Sequence, residues 1–141
     1  MLHRVGYAAL ISGIGAQLLK VLIESVRTRR FAYMRFFDNG GMPSSHTALI
    51  TTLTVGVGYH AGFDSSLFSL ALIFGMYFVF EAAGLRQEVG SQARVLNKLI
   101  DEIRTTHHVD PSRLKELVGH TWNEVLAGAA LGVIVAWLMV R

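Results

Sequence analysis

Residues 122–140 read WNEVLAGAALGVIVAWLMV, an apolar run with a single charge, Glu124, near its beginning. Wound as a helix at 1.5 Å per residue, such a run rises roughly 28 Å, close to the thickness of a bilayer's hydrocarbon layer. Working outward toward the N-terminus, three more apolar runs follow: Val5–Val26, Pro43–Tyr59 and Ser65–Leu85. The second is the shortest, and serines and threonines dilute it. Hydrocarbon offers no water to an exposed N–H or C=O, so each span must satisfy its backbone internally, and the alternation of strands is absent. The expectation is an all-α integral membrane protein, one domain over residues 1–141, built as a bundle of four transmembrane helices.

Composition agrees. Of 141 residues, 52% are hydrophobic, above the usual share of a soluble domain. Cysteine is absent, which excludes thiolate nucleophiles, disulfide frameworks and cysteine-ligated metal sites. The net charge of +3 raises nucleic acid as a partner, but the basic residues flank or interrupt apolar spans and form no basic arm, so that class is set aside. The apolar start runs too long for a signal peptide and carries Gln17 and Lys20, so it reads as a retained helix.

Between the spans, Gly40-Gly41 mark a turn, and Pro43 suits the first helical position, where a missing N–H costs little. Gly62 and Asp64 make a tight connection, so the second and third spans form an antiparallel hairpin. Residues 88–118 form an insert before the last helix. Within it, from Glu88 to Arg104, Val89, Ala93, Leu96, Ile100 and Ile103 recur at three- and four-residue steps. That periodicity predicts an amphipathic helix, lying either on the membrane surface and bundle end or against neighbouring loops. Asp110-Pro111 reads as the start of a short helix ending near Gly119. Four spans put the loops 27–42 and 86–120 on one side; apart from Arg4 and Arg141, every lysine and arginine lies on or near it. The excess of positive charge assigns that side to the cytoplasm.

The same topology gathers four polar groups at one end of the bundle. Lys20 and Arg27 lie seven residues apart, on nearly one helical face and roughly 10 Å along it; alone, they would read as interfacial anchors. Pro43-Ser44-Ser45-His46 opens a helix whose free N–H groups attract an anion, or else it is an ordinary cap with a passive histidine. Arg86 follows an apolar run, as a boundary anchor would. His120 and Glu124 stand one turn apart, so the carboxylate can accept from one ring nitrogen and leave the other free as a nucleophile; alternatively Thr121 and Glu124 form a capping box. Gly128 and Gly132 offer a small face for close helix contact, within the bundle or between two subunits of a homodimer.

Together these residues resemble the type 2 phosphatidic acid phosphatase superfamily, which includes the vanadium haloperoxidases and carries K-x6-R-P, P-S-G-H and S-R-x5-H-x3-D. Lys20 to Arg27 keeps K-x6-R, Pro43 to His46 gives P-S-S-H, and His120 to Glu124 gives H-x3-E. Thr28, Ser45 and Glu124 are the departures. Two arginines compete for the third basic position: Arg86, which ends a core helix as that topology requires, and Arg113, which follows Ser112 but stands one residue too far from His120. The wording Gly-Gly-Met-Pro-Ser-Ser-His-Thr-Ala, Glu-Ala-Ala-Gly-Leu-Arg and Gly-His-Thr-Trp-Asn-Glu-Val-Leu-Ala-Gly is similar to the divergent branch of the superfamily, over Lys20 to Gly132.

The resemblance implies a lipid phosphatase. His120 would attack phosphorus, Glu124 would hold its tautomer, and His46 would protonate the leaving alkoxide. Lys20, Arg27, Ser44, Ser45 and Arg86 would bind the phosphate oxygens, with no metal and no cofactor. Phosphatidylglycerophosphate, phosphatidic acid and polyprenyl phosphates or diphosphates are the candidate substrates, and a multi-pass place in a bacterium-like plasma membrane follows. The three departures and the displaced arginine motivate a competing reading, a non-catalytic scaffold that binds lipid phosphates. Haloperoxidase chemistry is disfavoured, because four membrane spans suit a lipid better than a soluble halide.

Overall fold

A computed structural model describes residues 3–37, 40–83, 92–101, 103 and 121–141. Among them are five α-helices: α1 (Arg4–Thr28), α2 (Ser45–Ala61), α3 (Ser66–Ala83), α4 (residues 92–101) and α5 (Trp122–Met139). A 3-10 turn, Tyr33–Phe37, lies between α1 and α2. The expected all-α fold is present, and the helix bounds fall within about two residues of the apolar runs. Two of the helices, α1 and α5, are long and apolar enough to cross a membrane, whereas the apolar stretch of α3, Ser66–Glu81, is shorter.

Local chemistry explains the helix ends. The His3 Nδ1 accepts from the Val5 N–H at 3.3 Å and caps α1. At its far end Arg29 turns left-handed with φ 52°, and the Thr28 hydroxyl donates to the Glu24 carbonyl at 2.8 Å. The chain then folds back along α1: the Ala32 N–H donates to Ser25 Oγ at 3.0 Å, and Arg35 pairs with Glu24 at 3.6 Å. Pro43 does not occupy the first helical position. Ser44 is the cap, and its side chain accepts from Thr47, so the first helical residue is Ser45 and the proline stands outside, after a cis Met42–Pro43 bond. Gly62, at φ 91°, ends α2, and the Ser65 N–H closes the turn on its carbonyl at 3.2 Å, giving the expected hairpin.

Helix directions follow from what meets what. A side chain at Gly56 would strike Val5, and one at Gly13 would meet Leu49 and the Ser45 carbonyl, so α1 and α2 are antiparallel. Thr54 Oγ1 donates to the Ala71 carbonyl at 3.3 Å across the α2–α3 hairpin. In α5 the glycine face is used inside the chain: a Cβ at Gly128 would overlap the Ser44 carbonyl, and one at Gly132 would come within 2.6 Å of the Ala48 carbonyl. Thr52 ties the same seam, donating to the Gly132 carbonyl at 3.0 Å. α2 and α5 therefore run parallel, α5 beginning roughly one turn ahead of α2, with α2 central between α1, α3 and α5.

The interior is small and hydroxylated: Ala8, Ser12, Ala16, Ser44, Ala48, Thr52 and Ala136 are all buried. Large apolar side chains such as Leu18, Leu22, Ile73 and Phe74 point outward. This inverts the arrangement of a water-soluble core. It matches helices that pack by close approach of small residues while their outer faces meet an apolar solvent.

In α4, Ala93 and Asn97 are buried, and Val95, Leu96, Leu99 and Ile103 form a neighbouring exposed apolar arc of roughly 100° at 100° per residue. Arg94, Lys98 and Asp101 occupy the remaining side and are exposed. The expected amphipathic helix is thus there, but its large apolar residues stay uncovered. The expected short helix from Asp110 lies outside the described residues.

Candidate functional site

The site is assembled at the level where α2 and α5 begin. Ser44, fully buried, spends its side-chain oxygen on the helix start, accepting from the Thr47 N–H at 3.3 Å and the Thr47 hydroxyl at 3.0 Å. Its own N–H donates to the Glu124 carbonyl at 3.0 Å, which locks the first turn of α2 onto the first turn of α5. The Ser45 N–H, first of the helix, has no acceptor among the described residues. It is one of the orphan donors a helix start presents to an anion.

At the start of α5, Thr121 and Glu124 form a reciprocal capping box. The Glu124 N–H donates to Thr121 Oγ1 at 3.4 Å, and the Thr121 N–H donates to Glu124 Oε2 at 3.1 Å. Of the two roles open to Glu124, the cap is therefore built, through one carboxylate oxygen. The positive ends of two helix dipoles lie side by side here and reinforce one another.

Lys20 comes from α1. It continues a buried strip at four-residue spacing, Ser12, Ala16 and Lys20, and is itself only 4% exposed. Its stem lies against Gly41, where a Cβ would stand 4.0 Å from the lysine Cδ. Gly41 has φ 95°, so the turn favours glycine. The first motif is thus brought against the loop that leads into the second. Arg27, in the last turn of the same helix, is exposed, and so is His46 on α2.

The structure joins Ser44 to Glu124 at the starts of α2 and α5 and lays Lys20 against Gly41 in the loop before α2; Ser45 and His46 follow Ser44 on α2, and Arg27 stands at the end of α1. Arg86, Arg113 and His120 lie outside the described residues; Thr121, the next residue after His120, is the cap just described. Two residues on the site side of the bundle were not singled out from the sequence as site candidates. Thr47 is buried and donates to Ser44; Gln17, one turn before Lys20, has its side-chain carbonyl oxygen buried with no hydrogen-bond partner among the described residues. A glutamine one turn from a lysine within an apolar span was the available signal.

Comparison with known proteins places this constellation in a lineage. The chain is 35% identical over 143 residues to the uncharacterized membrane protein YuiD of Bacillus subtilis (strain 168), covering 94% of this chain and 90% of that one. No solved structure matches significantly. Residues 2–135 match the divergent PAP2 family, and a match of that extent, over the same residues that carry the lysine, serine and histidine motifs, means that the chain belongs to that family.

Proposed function

We propose that the protein is a lipid phosphatase with four transmembrane helices, hydrolysing a phosphomonoester or diphosphate at the cytoplasmic face of the membrane. The observation that carries the reading is the Ser44–Glu124 backbone bond, with the stem of the buried Lys20 against Gly41 in the loop that leads into α2. It joins the starts of two helices, and helix N-termini with a lysine against the loop that precedes one of them support the reading as a phosphate site. In this reading α2 and α3 cross the membrane as α1 and α5 do.

His120 attacks phosphorus through a ring nitrogen, and the bond from phosphorus to the lipid oxygen breaks. His46 gives that oxygen its proton. Glu124, held at the helix start by its cap, orients the His120 ring and stabilises its positive charge. Water then cleaves the phosphorus–nitrogen bond, activated by the now neutral His46, and phosphate leaves. Lys20, Arg27, Arg86 and the Ser45 groups hold the non-bridging oxygens as phosphorus becomes five-coordinate, while Ser44, whose N–H and hydroxyl oxygen are engaged within the bundle, fixes the helix start. Phosphatidylglycerophosphate, phosphatidic acid and polyprenyl phosphates are the substrates to screen, the first favoured by a site on the cytoplasmic leaflet.

The test is phosphate release by the purified protein in detergent or nanodiscs. Vanadate, which adopts the five-coordinate shape, should inhibit competitively, and a chelator should have little effect. His120→Ala should fold but form no phosphoenzyme, whereas His46→Ala should still be phosphorylated by substrates whose leaving group needs no proton. Activity lost to a chelator, restored by a divalent ion and indifferent to vanadate would replace this mechanism with metal-assisted hydrolysis. Binding of lipid phosphates without turnover would make the protein a scaffold.

A further inference from the structure

A groove of about 330 Å³ runs between α2 and α3 and reaches Trp122 at the start of α5. Its walls are apolar: Ile50 and Val55 on one side, Leu72, Met76 and Phe80 on the other, with Trp122 at the end. Thr54, also on the wall, donates its hydroxyl to the Ala71 carbonyl at 3.3 Å. We infer that this groove holds the hydrocarbon chain of the lipid whose phosphate sits at the starts of α2 and α5; the inference rests on the reading of that site as a lipid-phosphate site.

Continuity with the candidate site supports that occupant. Ile50 lies one turn, roughly 6 Å, beyond His46 on α2, and Trp122 directly follows the cap residue Thr121. Because α3 is antiparallel to α2, Phe80 stands near the level of His46, and the wall from Phe80 to Leu72 descends roughly 12 Å away from it. A buried cation and two helix N-termini at the top, with an apolar slot below, complement a molecule with an anionic head and an alkyl tail. The slot is also open to the bilayer, since α3 leans on α2 and barely touches α5. The outward faces of Ile73, Phe74 and Tyr77 meet lipid indifferently; the groove differs from them in being concave and in ending at the phosphate site.

The experiment uses the full chain in phosphatidylcholine nanodiscs with two photoactivatable probes, a phosphatidic acid and a diacylglycerol, each carrying a diazirine halfway along one acyl chain. The phosphatidic acid probe should label residues 50–55 and 72–80 about tenfold more than the diacylglycerol probe does, and unlabelled phosphatidic acid should compete. Met76→Trp, which fills the slot, should reduce that labelling and raise KM for long-chain over short-chain lipid phosphates about tenfold. Leu72→Ala, which enlarges it, provides a second variant should the first fail to fold. Phe74→Trp, on the outer face of α3, should change neither measurement. Equal labelling by both probes, or adducts spread over the outer faces of α1 and α3, overturns the inference. Groove labelling that passes this test in a protein releasing no phosphate from any lipid would leave the slot standing and defeat the phosphatase reading alone.

Discussion

At Lys20 a positive charge is held inside an apolar bundle, 4% exposed, on a helix whose neighbouring buried positions are alanine and serine. Such a residue is expensive in hydrocarbon surroundings and is kept where it binds something. Arg27, on the same face, is exposed in the last turn of α1. Removing the two charges should therefore have different effects. Lys20→Met keeps the length of the stem and should lower kcat on the order of 10² to 10³, the loss typical of one preorganised donor, with thermal stability unchanged or higher. Arg27→Met should act mainly on KM. Steady-state phosphate release alongside a thermal melt checks both; full activity in Lys20→Met would remove the lysine from the mechanism.

Among the elements, the α2–α5 seam is the tightest contact, because glycines let the two backbones meet. Gly128→Ala would press a methyl into the Ser44 carbonyl, and Gly132→Ala into that of Ala48. Neither neighbour is a flexible side-chain tip, so each substitution should cost about 1–3 kcal/mol. Gly128→Ala should also cost activity, since it displaces the first turn of α2. Gly15→Ala, with open space around it, is the control; the melting temperatures of the three variants decide. The second element is α4, whose exposed arc of Val95, Leu96, Leu99 and Ile103 suits the headgroup boundary. With no native cysteine, single labels are straightforward. A spin label at Leu99 should be more accessible to oxygen than to a polar nickel complex, and one at Lys98 the reverse. Similar values at both would mean that α4 stands in water.

For the molecule as a whole, the concentration of lysine and arginine beside the loops 27–42 and 86–120 predicts that the site faces the cytoplasm. A cysteine at Arg30 should resist a membrane-impermeant thiol reagent in intact cells, and one at Asp64, in the opposite turn, should react. The reverse pattern, with membrane integrity verified, would put the site outside. Both results also bear on the number of spans, because Arg30 and Asp64 flank α2 and fall on opposite sides only if that helix crosses the bilayer.

Helix positions, the all-α class and the hairpin at Gly62 were legible along the chain. Each rests on local or periodic physics: length against bilayer thickness, backbone bonds with no alternative partner, and glycine where φ is positive. The family was legible too, because Lys20, Arg27, Ser44 and His46 keep spacings that chemistry constrains. Tertiary structure alone decided that the glycine face of α5 meets the start of α2, that Ser44 turns its oxygen into the bundle, that Lys20 lies against Gly41, and that a groove opens below Trp122. Most of these are contacts between residues far apart along the chain, as are Thr52 and Gly132, 80 positions apart. Periodicity marks which face of a helix is small or polar, but the outer faces of α1, α3 and α5 are similarly apolar. Which face meets which is settled by how closely particular backbones approach, and that is a property of the assembled bundle.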